Sequence, residues 1–395
     1  MSSAIRRLAV VVSHPIQYFA PLHQRLARRN DIEIKVFFTW HAGEVAVVDR
    51  GFRAQFAWDI CLTEGYEFER VSNLAREPGT HHFLGLRNPT LVERVMAWHP
   101  DLVLIHGWAW LSHLQALWEF HRKGIPTLFR GDSHLLDGAA SGLRWRVKRA
   151  ILDRVFGWPV GFAVVGAANR AYYEAFGVLP DRLFPCPHSV DVGRFAEPSE
   201  ALEREALEWR RCLDIGDETT VLLYAGKFER KKCPVQLMRA VLRLGHRDVV
   251  LVMVGGGELQ GEVDALAATD PGHFRVLPFQ NQSRMPVVYR LSDLFVLPSS
   301  HGETWGLAVN EALASGRPVL VSDRVGCAQD VVDASCGRVF SWADACSLES
   351  TLSDMVCDRG RLATMGRATA DRAWLFDIAR TEETLIEAIG KVSIS

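Results

Sequence analysis

Glu303 and Glu311 are separated by seven residues, with Thr304, Trp305, Gly306 and Leu307 between them and Pro318 shortly beyond. Carboxylates accept hydrogen bonds from hydroxyl groups, and a glycine at the start of a helix lets an anion approach the main-chain N–H groups closely. The stretch 294–298 reads as a buried strand, 299–305 as a loop, 306–315 as a helix and 319–322 as the next strand. Both carboxylates therefore fall at the carboxyl edge of a parallel sheet, on either side of the place where a phosphate would meet the helix. A sugar on one side of that phosphate and a ribose on the other suit the two glutamates. Either glutamate alone reads as readily as a solvated surface charge; the joint spacing with Gly306 carries the chemistry.

A diphosphate at that edge needs cations. Gly226, Lys227 and Lys232 follow a strand-like run at 220–225, so they reach the same edge, although a basic run is also an ordinary solvated helix start. Gly255, Gly256 and Gly257 end the next strand, but the G-x-G-x-x-G spacing is incomplete, and the run reads as a turn. Phe279 ends the third strand beside the same edge, and taken alone it reads as core. In the first half of the chain, His14, His106, Trp108, Asp132 and His134 lie in loops that follow strand-like runs at 8–13, 101–106 and 126–130. Each lone histidine reads as readily as a satisfied structural group.

The elements that must position these residues repeat. Strand-like runs at 8–13, 34–39, 101–106, 126–130 and 162–166 alternate with helical segments such as 20–29 and 111–123. The pattern restarts after residue 200 with runs at 220–225, 248–255, 274–279, 293–298 and 318–322. Such alternation predicts an α/β fold of two doubly wound Rossmann-like domains, facing across a cleft. The length of 395 residues suits two domains better than one core. A net charge of −2 provides no global attraction to nucleic acid. The eight cysteines show no C-x-x-C pair and no zinc-ligand spacing with histidine, so they read as reduced thiols of a cytoplasmic protein. The amino-terminal apolar run is too short for a signal peptide's core, and no window approaches a membrane span.

From Ser299 to Val319 the sequence resembles the retaining glycosyltransferases of family 4 (group 1, GT-B fold), which carry two glutamates at this spacing. The resemblance runs from about residue 8 to 390. It implies a hexosyltransferase that moves a sugar from a nucleotide diphosphate sugar to an acceptor hydroxyl, with no cofactor and no obligatory metal. It assigns Glu303 to donor-sugar hydroxyls, Glu311 to the ribose, and the amides of Gly306 and Leu307 to the diphosphate. Lys227 stands where the family usually has arginine, and Lys232 where it has lysine; Thr304, Trp305, Gly226 and Phe279 complete the donor-binding set. Asp132 falls where relatives place a group near the anomeric carbon, and His14, His106, Trp108 and His134 are acceptor-side candidates.

The prolines of 184–198 mark the domain boundary, where the family's Pro-Asn-Gly-Val-Asp signature is matched with His188 and Ser189 in place of Asn and Gly. The expected organisation is an acceptor-binding domain over 1–195, a nucleotide-sugar domain over 196–372, and a closing helix that returns to the first domain over 373–395. A sugar-nucleotide epimerase or glycan phosphorylase of the same fold, and a nucleotide-sugar-binding protein without turnover, are the alternative readings. Carbohydrate, lipid-linked and small-molecule acceptors all stay open, as does a part in surface polysaccharide or glycolipid synthesis. Trp58, Trp98, Trp108, Trp110 and Trp118 stack on a sugar or fill cores. The segment from Leu143 to Phe156 alternates cations with apolar residues at helical spacing, which fits peripheral contact with the inner face of a membrane or a surface helix packed on the sheet.

Overall fold

The computed structural model describes residues 6–40, 47–49, 51–52, 54–137, 142–197 and 199–392. They form two compact units, one of Met1–Val45, Ile60–His188 and Ile378–Ser395, the other of Ala46–Asp59 and Ser189–Asp377.

In the first unit the apolar runs form seven strands: β1 (Arg6–Val12), β2 (Ile32–Phe38), β3 (Glu67–Arg70), β4 (Leu102–His106), β5 (Thr127–Arg130), β6 (Gly161–Val164) and β7 (Leu183–Pro185). All pair in parallel, in the order β3-β2-β1-β4-β5-β6-β7. Side chains alternate across the sheet, so β1 sends Ala9 and Val11 into one apolar cluster and Leu8, Val10 and Val12 into another. The second cluster is completed by the helix Ile378–Val392 through Ile378, Leu385, Ala388, Ile389 and Val392. Glu382 on that helix accepts from Arg25 Nε at 2.7 Å and Arg29 Nη1 at 3.1 Å. The strand order reverses between β1 and β4, which opens a crevice at their carboxyl ends.

The second unit repeats the plan with β8 (Thr220–Lys227), β9 (Val249–Gly256), β10 (Phe274–Pro278), β11 (Leu294–Leu297), β12 (Val319–Ser322) and β13 (Gly337–Phe340). These too are parallel, in the order β10-β9-β8-β11-β12-β13, with Leu222 opposite Leu294 where the order reverses. Glycine is demanded at two points. A Cβ on Gly255 would lie 1.9 Å from the carbonyl oxygen of Gly226 on the neighbouring strand. Gly306 has φ +95°, and a Cβ there would meet Val325 at 2.9 Å and Leu297 at 3.0 Å.

Several boundaries differ from the sequence reading. The units divide after His188 rather than near 195: Leu183–Pro185 still pairs with β6 as a seventh strand, whereas Val190 already bridges to Asp377 of the second unit. The closing helix does not run unbroken from 374: Arg359–Trp374 belongs to the second unit, and Ile378–Val392 to the first. Asp377 holds the junction on the second unit's side by accepting from the Val192 N–H at 3.1 Å. Ala46–Asp59, assigned to the first domain by its place in the chain, packs with the second. It includes a short hairpin, Val47–Asp49 with Ala54–Phe56, and is fastened where Asn281 donates to the Ala57 carbonyl at 2.7 Å and the Ser283 N–H to Asp59 at 3.1 Å.

Two stability predictions follow from this packing. Gly306→Ala is expected to lower the unfolding free energy by about 1–3 kcal/mol. Gly261→Ala, inside the helix Gln260–Thr269 with nothing within 4 Å of the new methyl, is expected to raise it by about 0.5–1 kcal/mol; urea denaturation of both checks the contrast. His23 is buried, and burial lowers its pKa from 6.5 to about 3. Its folded value lies below its unfolded value, so its contribution is intact above pH 6.5 and is lost as pH falls toward 3. Between pH 6.5 and 5 this amounts to about 2 kcal/mol, and His23→Leu should flatten that part of the stability–pH curve.

Candidate active site

In the second unit the two sides of the crevice are tied by charge. The turn Arg230–Lys232 follows β8 and is closed by Cys233 in the left-handed conformation, φ +55°. From it Lys232 Nζ donates to Glu303 Oε2 at 2.6 Å, and Ser299 Oγ, at the end of β11, donates to the same oxygen at 3.2 Å. The Glu303 loop is itself held by backbone, with the Gly326 N–H on the Glu303 carbonyl at 2.9 Å and the Ser300 N–H on the Lys231 carbonyl at 2.8 Å. The pair is only partly exposed, 21% and 15% for the two side chains. It keeps a cation and a carboxylate at the mouth of a sheet where solvent screens them weakly. Lys227 ends β8 beside this turn, with its ammonium 5.1 Å from the Phe52 ring centroid and its carbonyl accepting from Tyr224 Oη at 2.7 Å.

Gly306 caps the helix Leu307–Ala314, whose first N–H groups face the same edge. Glu311 lies inside that helix and is buried at 2% exposure. Tyr289 Oη donates to Glu311 Oε2 at 2.7 Å, and Arg194 Nη2 lies 4.0 Å from Oε1. A carboxylate so deeply set needs such partners, here a phenol and a guanidinium.

The first unit has a cavity of about 200 Å³ at its own reversal point, lined by Ser13 and Phe19 after β1, His106 and Trp110 after β4, and Asp132 after β5. Arg130 and His188 complete its polar wall. Arg130, 5% exposed, donates to the carbonyls of Cys186 at 2.7 Å and Pro187 at 3.3 Å, and its Nη2 lies 3.5 Å from His188 Nδ1. Burial, reinforced by that guanidinium, pushes the pKa values of His106 and His188 well below the usual range. Both rings are neutral at pH 7, so Arg130 supplies the cationic character of the wall. Its Nε makes no hydrogen bond to another described residue.

Among the residues singled out in the sequence, Glu303, Lys232, Lys227, Gly226, Gly306 and Leu307 gather at the second unit's crevice, and His106 and Asp132 at the first unit's cavity. Others lie elsewhere. Trp305 is 3% exposed and donates through Nε1 to Asn310 at 3.0 Å, which makes its ring part of the packing beneath the helix. Thr304 presents its carbonyl to Gly326, where a Cβ would come within 1.9 Å. Phe279 is half-buried rather than core, with Phe52 and Trp58 at centroid distances of 4.7 and 6.5 Å.

On the first unit, burial lowers the His14 pKa to about 4; the ring packs edge-on against Trp40 and its Nδ1 lies 2.9 Å from Oγ of Ser13, a residue of the cavity lining. His134 accepts the Leu136 N–H at 3.1 Å and closes a turn. Trp108 packs on the core, and Trp110 lines the cavity in its place. Trp98 is core, and Trp118 is exposed under Arg122. Arg130 and His188 were legible only as members of motifs: their roles depend on a bond between positions 58 residues apart.

The family profile described as glycosyl transferases group 1 matches residues 206–372. A D-inositol 3-phosphate glycosyltransferase of Salinispora tropica is 30% identical over 325 residues, covering 75% of this chain and 64% of that protein. A D-inositol 3-phosphate glycosyltransferase 1 of Catenulispora acidiphila is 32% identical over 316 residues, covering 72% and 71%. The crystal structure of HepE from Anabaena, in complex with UDP and glucose, superposes with a TM-score of 0.70 at 16% identity, over 98% of this chain and 99% of that one. Two parallel Rossmann-like units with these neighbours make the fold GT-B. The chain belongs to the group 1 glycosyltransferases.

Proposed function

We propose that the protein transfers a hexosyl group from a nucleoside diphosphate sugar to an acceptor hydroxyl with retention at the anomeric carbon, as the family 4 resemblance implies. The observation that carries this reading is Lys232 Nζ on Glu303 Oε2 at 2.6 Å, at the reversal point between β8 and β11, with Lys227 at the end of β8. The diphosphate would lie between the two ammonium groups and the N-terminus of Leu307–Ala314, which stabilise negative charge as the bond from the anomeric carbon to the phosphate oxygen breaks. Glu303 would then hold sugar hydroxyls, and Glu311 the ribose. The acceptor oxygen bonds to the anomeric carbon on the face the phosphate leaves, and the departing phosphate oxygen takes the acceptor's proton. The charge is met by lysines, so this route has no obligatory metal. UDP in the HepE complex supports uracil as the base.

The acceptor reading rests on Arg130. A buried guanidinium in a wall with neutral histidines favours an acceptor ring that carries negative charge, with the exposed Asp132 of the same lining orienting the hydroxyl. The names of the inositol 3-phosphate glycosyltransferases support a phosphorylated cyclitol. The same chemistry is present on phosphate-linked sugars of glycolipid or surface polysaccharide synthesis. Eight cysteines, all free, fit a reducing cytoplasm.

A thermal-shift panel of UDP-, GDP-, ADP- and TDP-sugars, with and without chelator, tests the donor reading. We expect UDP-sugars to stabilise the protein with chelator present, and Lys232→Ala to abolish the shift. Transfer by Lys232→Ala should fall about 100-fold or more, the cost of removing a group that stabilises developing charge. Wild-type turnover in that variant, or an inverted anomer by NMR of the product, would sink the mechanism. Arg130→Met should raise KM for a phosphorylated acceptor roughly tenfold while donor affinity stays unchanged; an equal loss for a neutral acceptor would assign Arg130 a structural role instead.

A further inference from the structure

The helix Gly142–Val155 carries Arg144, Arg146, Lys148, Arg149 and Arg154 against one acidic residue, Asp153, in a chain whose net charge is −2. Its inner face is an ordinary packing face: Leu152 and Val155 are in the first unit's core, and Trp145 lies 4.6 Å from the Phe176 ring. Lys148 is drawn to that side, with its ammonium 5.2 Å from the Tyr172 ring centroid. The opposite face has a second apolar stripe. Leu143, Val147 and Ile151 are 75%, 53% and 49% exposed, and their spacing of four residues stacks them along one line of the helix. Arg154 falls within that line and Arg146 lies beside it, both exposed.

A helix already anchored by one face gains nothing in folding from large aliphatic side chains on the other. Aliphatic side chains bordered by arginines match the boundary of an anionic bilayer, where the stripe enters the acyl region and the guanidinium groups meet phosphate. The charge separates this surface from an ordinary protein interface, whose buried centre is depleted in charged residues. We propose that the outward face of Gly142–Val155 docks the protein on anionic lipid, with Leu143, Val147 and Ile151 inserted and Arg146 and Arg154 at headgroup level. The proposal uses none of the donor-site residues and stands or falls separately from the transfer reaction.

Co-sedimentation of the full chain with vesicles of phosphatidylcholine alone, and with 40 mol% phosphatidylglycerol, provides the test, with circular dichroism and thermal melts as folding controls. Binding is expected only to the anionic vesicles, weakening as salt is raised from 50 to 300 mM. Val147→Glu/Ile151→Glu and, separately, Arg146→Glu/Arg154→Glu should each weaken it at least roughly tenfold, since both insertion and charge are needed. Failure of the wild type to bind anionic vesicles at 50 mM salt overturns the proposal. So does wild-type binding by both folded variants, which would move the contact to another surface. A dimer in analytical ultracentrifugation that Val147→Glu/Ile151→Glu dissolves would assign the face to a second copy, and overturn it as well.

Discussion

The pairing of Lys232 with Glu303 is the contact around which the second unit's functional edge is arranged. The two residues come from loops after β8 and β11, the strands between which the sheet reverses its order, and their bond spans the opening that reversal leaves. Such a pair contributes little to stability, because the gain in attraction is offset by lost hydration. Its effect is positional. A free ammonium would sweep a wide volume; held by Glu303, it is kept at the crevice in a nearly neutral pair.

The first unit solves a related problem with the opposite balance. Arg130 is charged and deeply buried, yet its contacts are carbonyl oxygens and a neutral imidazole. Those bonds also fasten the stretch from Cys186 to His188. The guanidinium thus has a structural duty and an electrostatic one. It holds the end of the segment that follows β7, and its charge reinforces the burial that keeps His106 and His188 unprotonated in the cavity wall.

Both sheets were legible because period-two and fully apolar runs leave little choice of fold, and strand ends can be read where loop residues begin. That Lys232 and Glu303 reach one edge was legible because both follow strands that the topology brings side by side; their direct bond was not. Contacts fixed by tertiary packing were not. Nothing in the local sequence distinguishes Trp108, which packs inward, from Trp110, which lines the cavity. Phe279 looked like core because its aromatic partners, Phe52 and Trp58, come from a segment more than 200 residues earlier, which the chain order places in the other unit. Glu311 read as a ligand at a helix start, but its burial against Tyr289 depends on how two helices meet.

The helix Ile378–Val392 closes an apolar cluster to which the first two strands of the chain contribute seven residues. On the ribosome, those strands emerge early and wait. Leu8, Val10 and Ile34 keep an uncovered surface through the synthesis of more than 300 further residues, while every strand of the second unit's main sheet is already available to fold. The order of completion is therefore the reverse of the order of synthesis. The first unit to be started is the last to be sealed, and until then its open side is a place where chaperones, or other nascent chains, find apolar surface.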